Sequence, residues 1–357
     1  MDKTKKTSSK PKKKSSILVR ILLLGLIVVA GYYAYQFFVI PRLTKLDVPT
    51  QSYPSQSVYY RYSLQLGILS SIFGGKDMSI SQIIAEAGKD MKNIKSAGFD
   101  GVKLNYHFQN NNSVANKMAV QAAKQGLYPI GSLQGSYDIP ADQAFTPKEM
   151  SEWQSYVRDS VSANKNIIYF WEIWGEPSLN ENRYGSPAEF VQLLKATYPI
   201  VKKANPNAKV VVTLGAEATN GSDFDDQVLA LGGGDYFDDL SFHPYAANPY
   251  LQEDQVKTAI AHEQSLLAKY NNRWPLVISE IGQPASEVGE MEQARLAAFL
   301  YAEADTNNIP VTWFYWSDTH LLKDEMTDDG SNWGFIRFDG TERPMLEVIK
   351  PFLKNGN

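Results

Sequence analysis

From residue 63 to residue 353 the chain alternates short apolar runs with longer amphipathic stretches. Apolar runs bounded by turn residues are typical of buried strands, and apolar residues at helical spacing are typical of helices. We predict strands at 63–67, 101–106, 128–132, 167–171, 210–214, 240–243, 276–280 and 311–316. We predict helices at 79–97, 113–125, 147–164, 187–204, 223–231, 254–270, 291–307 and 344–353. This alternation predicts an α/β protein with a single (β/α)₈ barrel at residues 58–357.

A doubly wound parallel sheet is the structural alternative, because it also alternates strands and helices. Its nucleotide-binding members have a glycine-rich turn directly after the first strand. Here Gly74-Gly75 is an isolated pair, and no internal repeat or second linker divides the body. The sequence therefore favours the barrel.

The amino-terminal segment differs from the body and predicts a membrane anchor. Residues 1–20 form a basic tail, and residues 21–40 carry no charge. As a helix, a run of that length is about 30 Å long, enough to span a bilayer. The lysines predict a cytoplasmic amino terminus, with the body outside the cell membrane after a Pro-, Ser- and Thr-containing linker at 41–57. The alternative is a signal peptide cleaved after Ala30.

Charge and cysteine content exclude several classes of function. The chain has no cysteine, which excludes disulfides, thiolate metal sites and cysteine nucleophiles. Residues 1–20 hold eight of the 35 basic residues and one of the 39 acidic ones, which leaves 27 and 38 in the rest and a net charge of −11 there. An acidic body of this kind predicts that nucleic acid is not a partner.

Two glutamates follow two of the predicted strands. Glu176 lies in Trp171-Glu172-Ile173-Trp174-Gly175-Glu176-Pro177, and Glu280 lies in Ser279-Glu280-Ile281-Gly282. The carboxyl ends of barrel strands meet at one face, so both carboxylates are expected at the mouth of the barrel. A pair of carboxylates is what glycoside hydrolysis requires.

Other polar or aromatic residues at predicted strand ends are Asn105, His107, Gln134, Glu217, His243, Tyr245, Trp316 and Asp318. This distribution predicts a cleft that binds a polyhydroxylated molecule.

These motifs resemble clan A glycoside hydrolases, a large group of retaining barrels, across residues 58–357. The resemblance is to family 39 first and to cellulase-like family 5 next. It is carried by the two glutamate motifs and by Ser241-Phe242-His243-Pro244-Tyr245. The tail from Asn332-Trp333-Gly334-Phe335 to Arg343-Pro344 also looks like the last loop and helix of these enzymes.

The resemblance implies a role for each matching residue. Glu176 matches the general acid/base, and Glu280 matches the nucleophile. His243 and Tyr245 match residues that flank the nucleophile and hydrogen-bond to it, and Trp316 matches the platform under the cleaved sugar. The implied activity is a glycosidase with a double-displacement mechanism.

Two positions depart from the pattern of the clan. Gly175 stands where the clan usually has an asparagine that contacts the sugar, and Lys103 stands where it usually has an arginine bonded to the nucleophile. A lysine keeps the positive charge but loses the two-pronged geometry of arginine. Asn105 is expected to support the site, and Glu172 is expected to point into the barrel as a buried partner.

No cofactor and no metal site are predicted, since the chain lacks an HExxH motif or paired histidines. The sequence leaves open the sugar, the linkage, endo or exo action and the oligomeric state. It also leaves open a transglycosylase, which would use the same residues, and an inactive barrel that binds glycan.

Overall fold

Eight parallel strands close into a barrel in which every strand pairs with its neighbours in chain order and β8 pairs with β1. The structure is a computed structural model that describes residues 62–65, 79–110, 112–135, 143–179, 184–215, 223–246, 250–318, 332–337 and 339–354. The strands are β1 (Tyr62–Gln65), β2 (Gly101–His107), β3 (Tyr128–Gln134), β4 (Phe170–Ile173), β5 (Lys209–Gly215), β6 (Asp239–Phe242), β7 (Leu276–Ile281) and β8 (Val311–Trp313). The predicted (β/α)₈ barrel is confirmed.

Helices connect the strands and form the outer layer. They are α1 (Ile80–Ala97), α2 (Ser113–Lys124), α3 (Pro147–Ala163), α4 (Pro187–Ala204), α5 (Phe224–Ala230), α6 (Glu253–Lys269), α7 (Ala285–Val288), α8 (Glu290–Thr306) and α9 (Pro344–Lys354). A 3₁₀ turn at Gly233–Tyr236 precedes β6. The predicted anchor at 21–40 lies outside the described residues, and within the described ranges no helix is long and apolar enough to cross a membrane.

Three helices begin where the sequence supplies a capping box. The pairs are Ser79 with Gln82, Thr146 with Glu149, and Ser186 with Glu189. In each pair the first hydroxyl accepts a hydrogen bond from a backbone N–H, and the second side chain accepts one in return. This satisfies donors that helical hydrogen bonds leave unpaired. Proline follows the cap in α3 and α4, where its fixed φ suits the first helical turn.

Strand β4 begins three residues later than predicted. The backbone N–H groups of Ile167 and Ile168 both donate to the Asn164 carbonyl at 2.9 Å, so these apolar residues form the turn after α3. The strand itself runs from Phe170 to Ile173 and includes Glu172. The apolar run predicted a buried segment correctly, but a buried turn has the same composition as a buried strand.

Strand β8 ends at Trp313, three residues earlier than predicted. Phe314 still donates its backbone N–H to the Ile281 carbonyl at 2.8 Å. Tyr315 then adopts a φ of 68°, which ends the extended conformation. The last three residues of the aromatic run, 314–316, therefore lie beyond the end of the strand.

The interior of the barrel has an apolar layer below a polar one. The apolar layer contains Ile130, Phe170, Val211 and Val277. Residues two positions farther along the same strands share the same face, because side chains alternate with a period of two. Those residues are Ser132, Glu172, Thr213 and Ser279, and all four are buried. The polar layer therefore lies nearer the carboxyl ends of the strands, where barrel sites form.

Candidate active site

The segment after β4 holds Glu176 in an unusual backbone conformation. Trp174 has a φ of 60° and Glu176 a φ of 53°, values that cost non-glycine residues about 1–2 kcal/mol each. The Trp174 ring is anchored against Phe145 and Tyr184, with ring centroids 5.6 and 4.8 Å away. Packing on the outer side of the strand thus fixes the turn that presents Glu176, and the Glu176 side chain remains 16% exposed.

Glu176, His243 and Glu280 converge at the mouth of the barrel. His243 Nδ1 lies 2.7 Å from Glu176 Oε1, and its Nε2 lies 2.9 Å from Ser279 Oγ. One carboxylate oxygen from each glutamate and one His243 nitrogen all lie within 4.8 Å of one another. The carboxylates from β4 and β7 therefore face the same small space, as their strand positions predict.

Lys103 lies beneath these groups and contacts two carboxylates. Its Nζ is 2.8 Å from Glu172 Oε2 and 3.7 Å from Glu280 Oε2, and it donates a hydrogen bond to the Ser279 carbonyl at 3.2 Å. The resemblance implied Glu280 as the main partner of the cation at this position. The shorter contact is with Glu172, which is fully buried and points into the barrel as expected.

Hydroxyl groups complete the environment of Glu172. Ser132 donates to Glu172 Oε2 and Thr213 donates to Oε1, both at 2.8 Å. Thr213 also lies 2.6 Å from the hydroxyl of Ser241, which in turn lies 3.0 Å from that of Ser279. Sequence reasoning did not single out these hydroxyl residues. The available signal was a small polar residue at an inward position of an otherwise apolar strand.

The Lys103–Glu172 pair is charged in the interior. Burial raises the pKa of Glu172, but the charge of Lys103 and then that of His243 outweigh it and bring the pKa to about 2. Burial lowers the pKa of Lys103, yet Glu172 and Glu280 raise it above its usual value. A cation is thus fixed below Glu280 at neutral pH.

The pKa of Glu280 and the pKa of His243 are each set by causes that act in opposite directions. Burial raises the pKa of Glu280 above its usual value, and the positive charges of Lys103 and His243 offset only part of that rise. Burial lowers the pKa of His243, but its hydrogen bond to Glu176 and the charges of both glutamates raise it overall. His243 therefore holds its second proton to a higher pH than an isolated histidine, directly beside Glu176.

Tyr245 is the residue after β6 that contacts Glu280. Its hydroxyl is 3.5 Å from Glu280 Oε1. Burial, followed by the charges of Glu280 and Glu176, raises the pKa of Tyr245 well above its usual value, so the phenol remains a donor. The expectation that His243 also bonds the nucleophile position is corrected here, because the His243 ring bonds Glu176 and Ser279 instead.

Gln134, at the end of β3, occupies the space beside Gly175. A Cβ placed on Gly175 would lie 3.2 Å from Gln134 Oε1 and 3.3 Å from Nε2, closer than nine in ten real Cβ contacts. The same amide donates to Ser132 Oγ at 2.6 Å, which attaches it to the polar layer. The absence of a side chain at Gly175 therefore leaves room for the Gln134 carboxamide, which comes from the neighbouring strand β3.

Asn105 and His107 lie at the end of β2. Asn105 Oδ1 is buried and accepts no hydrogen bond within the described part of the chain. Burial lowers the pKa of His107, so its ring is neutral at pH 7. Glu217, the polar residue predicted at the end of β5, lies outside the described residues.

Trp316 does not present an open ring. It is 2% exposed and packs against Phe99 and Phe335, with centroids 6.2 and 6.0 Å away. Since the chain leaves β8 at Trp313, Trp316 falls in the packed segment beyond it, and the expected platform role is not supported. Asp318 forms a buried ion pair with Arg343 at 2.7 Å and so braces the carboxy-terminal segment.

Glu176, His243 and Glu280 also have the donor set of a metal site. Both nitrogens of His243 already have partners, however, so a metal would have to replace the contact with Glu176 or Ser279. The arrangement is better suited to proton transfer, because a carboxylate and an imidazole with a raised pKa share a short hydrogen bond.

Among known proteins, only solved structures match the chain; no known family profile and no curated protein does. A family 39 glycoside hydrolase from the gut symbiont Bacteroides cellulosilyticus WH2 is 19% identical, with a TM-score of 0.66 over 82% of this chain. GH5_18 from Streptomyces cattleya in complex with GlcNAc is 13% identical, with a TM-score of 0.61 over 84% of this chain and 81% of that enzyme. The cellulose synthase subunit Z from Clostridioides difficile is 17% identical, with a TM-score of 0.57 over 82% of this chain and 99% of that protein.

These similarities concern the fold. The chain spans 63% of the family 39 enzyme, and identities of 13–19% establish a common barrel. They agree with the families that the glutamate motifs resemble, families 39 and 5. What the residues of this chain do follows from the geometry of its own site.

Proposed function

We propose that the protein is a membrane-anchored retaining glycoside hydrolase that cleaves a polysaccharide or oligosaccharide outside the cell membrane. The observation that carries this proposal is the approach of the Glu176 and Glu280 carboxylates at the carboxyl ends of β4 and β7. The similar fold of several glycoside hydrolases supports it.

The distance between the two glutamates favours retention of configuration. Retaining enzymes have carboxyl groups about 5–5.5 Å apart, whereas inverting enzymes need about 6.5–9.5 Å to admit a water molecule between them. One oxygen of Glu176 lies within 4.8 Å of one of Glu280. That close approach supports the retaining arrangement, in which one carboxylate attacks the sugar directly.

In the first step, a Glu280 oxygen attacks the anomeric carbon as the bond to the leaving oxygen breaks. Glu176 transfers a proton to that leaving oxygen, and Glu280 becomes an ester of the sugar. Lys103, 3.7 Å from Glu280, stabilises the attacking carboxylate in its charged form. Tyr245 donates its hydroxyl to the other Glu280 oxygen.

In the second step, Glu176 accepts a proton from water, which then attacks the ester and releases the sugar. His243 bonds directly to Glu176 and has a raised pKa. It can therefore hold a proton beside Glu176 in one half of the cycle and stabilise the Glu176 carboxylate in the other half.

Amide groups at the mouth suit a ligand with many hydroxyls. Asn105 Oδ1 is a buried acceptor in need of a donor, which a sugar hydroxyl supplies. The Gln134 carboxamide reaches the region beside Gly175. In the proposed complex this amide substitutes for the asparagine that the clan usually carries at position 175.

The membrane part of the proposal rests on the sequence. Residues 21–40 are uncharged and follow a lysine-rich tail, which supports an anchor with its amino terminus in the cytoplasm. The barrel then lies outside, where polysaccharides are found. Protease added to intact cells should remove the barrel and spare the tail; protection of the barrel would contradict this placement.

Covalent trapping tests the chemistry. The full chain in detergent is screened with aryl glycosides and cell-wall polysaccharides, and the 2-deoxy-2-fluoro analogue of the best sugar is then added. We expect one sugar per chain on the peptide that contains Glu280, found by mass spectrometry, and a product of retained configuration by NMR.

Glu280→Gln is the matched control, because it keeps the shape of the side chain and should not be labelled. An inverted product, or a label on another residue, would contradict the mechanism. Oligosaccharide products longer than the substrate would identify a transglycosylase. Binding of glycan without cleavage would identify an inactive barrel.

A further inference from the structure

A second cluster of carboxylates and a histidine lies on the outer layer of the barrel. Asp225 is on α5, and His262 and Glu263 are consecutive residues of α6. His262 Nε2 is 3.1 Å from Asp225 Oδ2, and one ligand atom from each of the three residues lies within 4.8 Å of the others. None of these residues belongs to the proposed catalytic site.

Glu263 is a buried carboxyl group close to other negatively charged side chains. It is 3% exposed, and its Oε2 atom has no hydrogen-bond partner within the described part of the chain. Burial, and then the negative charges of Asp225 and Asp226, raise the pKa of Glu263 to about 8. Buried carboxylates are ordinarily paired, protonated or bound to a metal.

The backbone makes room for this carboxylate. A Cβ on Gly215, at the end of β5, would lie 2.6 Å from Glu263 Oε1. Glycine at 215 therefore lets the Glu263 carboxyl pack against the end of the strand. His262 is 47% exposed on its side chain and leaves the cluster open to solvent.

We propose that Asp225, His262 and Glu263 form a binding site for a divalent transition-metal ion of the zinc class. One imidazole nitrogen and two carboxylate oxygens match the ligands that zinc takes in proteins. The His262–Asp225 contact of 3.1 Å is close to the ligand separation of about 3.3 Å in a tetrahedral zinc site. A fourth position faces solvent and takes water.

The metal would replace the proton on Glu263. Asp225 and Asp226 from α5 add negative charge to the region, while Lys269 on α6 is engaged with Asp226 at 2.8 Å. His262 must be neutral to bind the ion. Because these ligands bind the ion only after losing their protons, zinc binding releases protons and becomes tighter as the pH rises.

Zinc titration of the full chain in detergent tests the site without any need for glycosidase activity. The protein is stripped with a chelator and titrated calorimetrically with zinc at pH 7 in buffers of different ionisation enthalpy. We expect one ion per chain and proton release. His262→Ala and Asp225→Asn should each weaken binding by more than about tenfold, and Ser265→Ala, on the exposed face of the same helix, should not.

Glu280→Gln distinguishes this cluster from the one in the barrel mouth. It should leave the zinc affinity unchanged, because Glu280 belongs only to the catalytic cluster. Absence of zinc binding by the wild-type chain would overturn the proposal. Equal affinity in wild type, His262→Ala and Asp225→Asn would also overturn it, and a loss confined to Glu280→Gln would assign the ion to the barrel mouth.

Discussion

The cluster in the barrel mouth and the cluster between α5 and α6 contain the same three groups, two carboxylates and one histidine. In the mouth, Lys103 lies 3.7 Å from Glu280 and Tyr245 donates to the same carboxylate. In the outer cluster, Asp225 has the histidine as its partner, while Glu263 has a buried oxygen with no partner in the described part of the chain.

The difference shows that the same three groups can have different chemical properties in different surroundings. In the mouth, the fixed cation Lys103 stabilises the charged form of the glutamates beside it. Without a fixed cation, a buried glutamate takes up a proton or a metal ion. The proposed functions of the two clusters therefore differ because their compensating charges differ, although their donor sets are the same.

The largest effect should come from removing Glu280, the proposed nucleophile in the mouth. Glu280→Ala should lower turnover of every substrate by more than about 10⁴-fold, beyond what loss of a general acid costs. Added azide should then react from the side that the carboxylate left and give a glycosyl azide of inverted configuration. The azide product is identified by NMR, and a retained product from this variant would contradict the assignment.

Loss of Glu176 should be smaller and should depend on the leaving group. Glu176→Ala should slow substrates with poor leaving groups by roughly 10²–10⁴-fold. Substrates with activated aryl leaving groups should be affected much less, because such groups depart without a proton. Azide should restore turnover with retained configuration. If this variant instead gives the inverted azide, the roles of the two glutamates are exchanged.

Removal of the Lys103 cation tests whether it compensates the buried negative charge in the barrel mouth. Lys103→Met leaves Glu172 buried without its ion-pair partner and should lower the free energy of unfolding by about 3–5 kcal/mol. The double variant Lys103→Met, Glu172→Gln should recover part of that loss, since no net charge is then buried. Urea unfolding of the full chain in detergent measures both.

The exposed pair of Lys89 and Glu86, at 2.6 Å, supplies the control. Lys89→Met should change the free energy of unfolding by less than about 1 kcal/mol, because solvent screens that pair. If Lys103→Met has an effect as small as this control, Glu172 is not charged in the folded protein.

The order of the elements was predictable from the sequence because its signals are local. Helices α3 and α4 begin at the Ser/Thr and Glu pairs and prolines that the chain supplies. The start of β4 was not predictable, since the backbone of Ile167 and Ile168 is bonded in a turn around Asn164. The Asn164 side-chain amide donates to the Ser160 carbonyl one helical turn earlier and to Asn116 Oδ1, and the second contact is a tertiary one.

The sequence predicts which residues lie at strand ends and so share the barrel mouth. It does not predict which of those side chains form hydrogen bonds with one another. Strand positions bring Glu176 and Glu280 together. The sequence could not show that His243 would bond Glu176 rather than Glu280. Nor could it show that Asp225 meets His262, because the two residues lie 37 positions apart in the chain and on different helices.

The smallest effect should appear at Glu263 and should depend on pH. Its pKa rises from 4.5 to about 8 on folding, so between these values the unfolded chain releases a proton that the folded chain keeps. With a chelator present, this single group should lower stability by about 1.4 kcal/mol per pH unit as the pH rises through that window. Glu263→Gln should remove this contribution, so its stability relative to wild type should increase by about 3 kcal/mol from pH 5 to pH 7. Urea unfolding at the two pH values measures the change, with Glu152→Gln on α3, where the side chain is 45% exposed, as the control. A constant difference between Glu263→Gln and wild type would mean that Glu263 is ionised in the folded chain, and the contrast between the two clusters would fail.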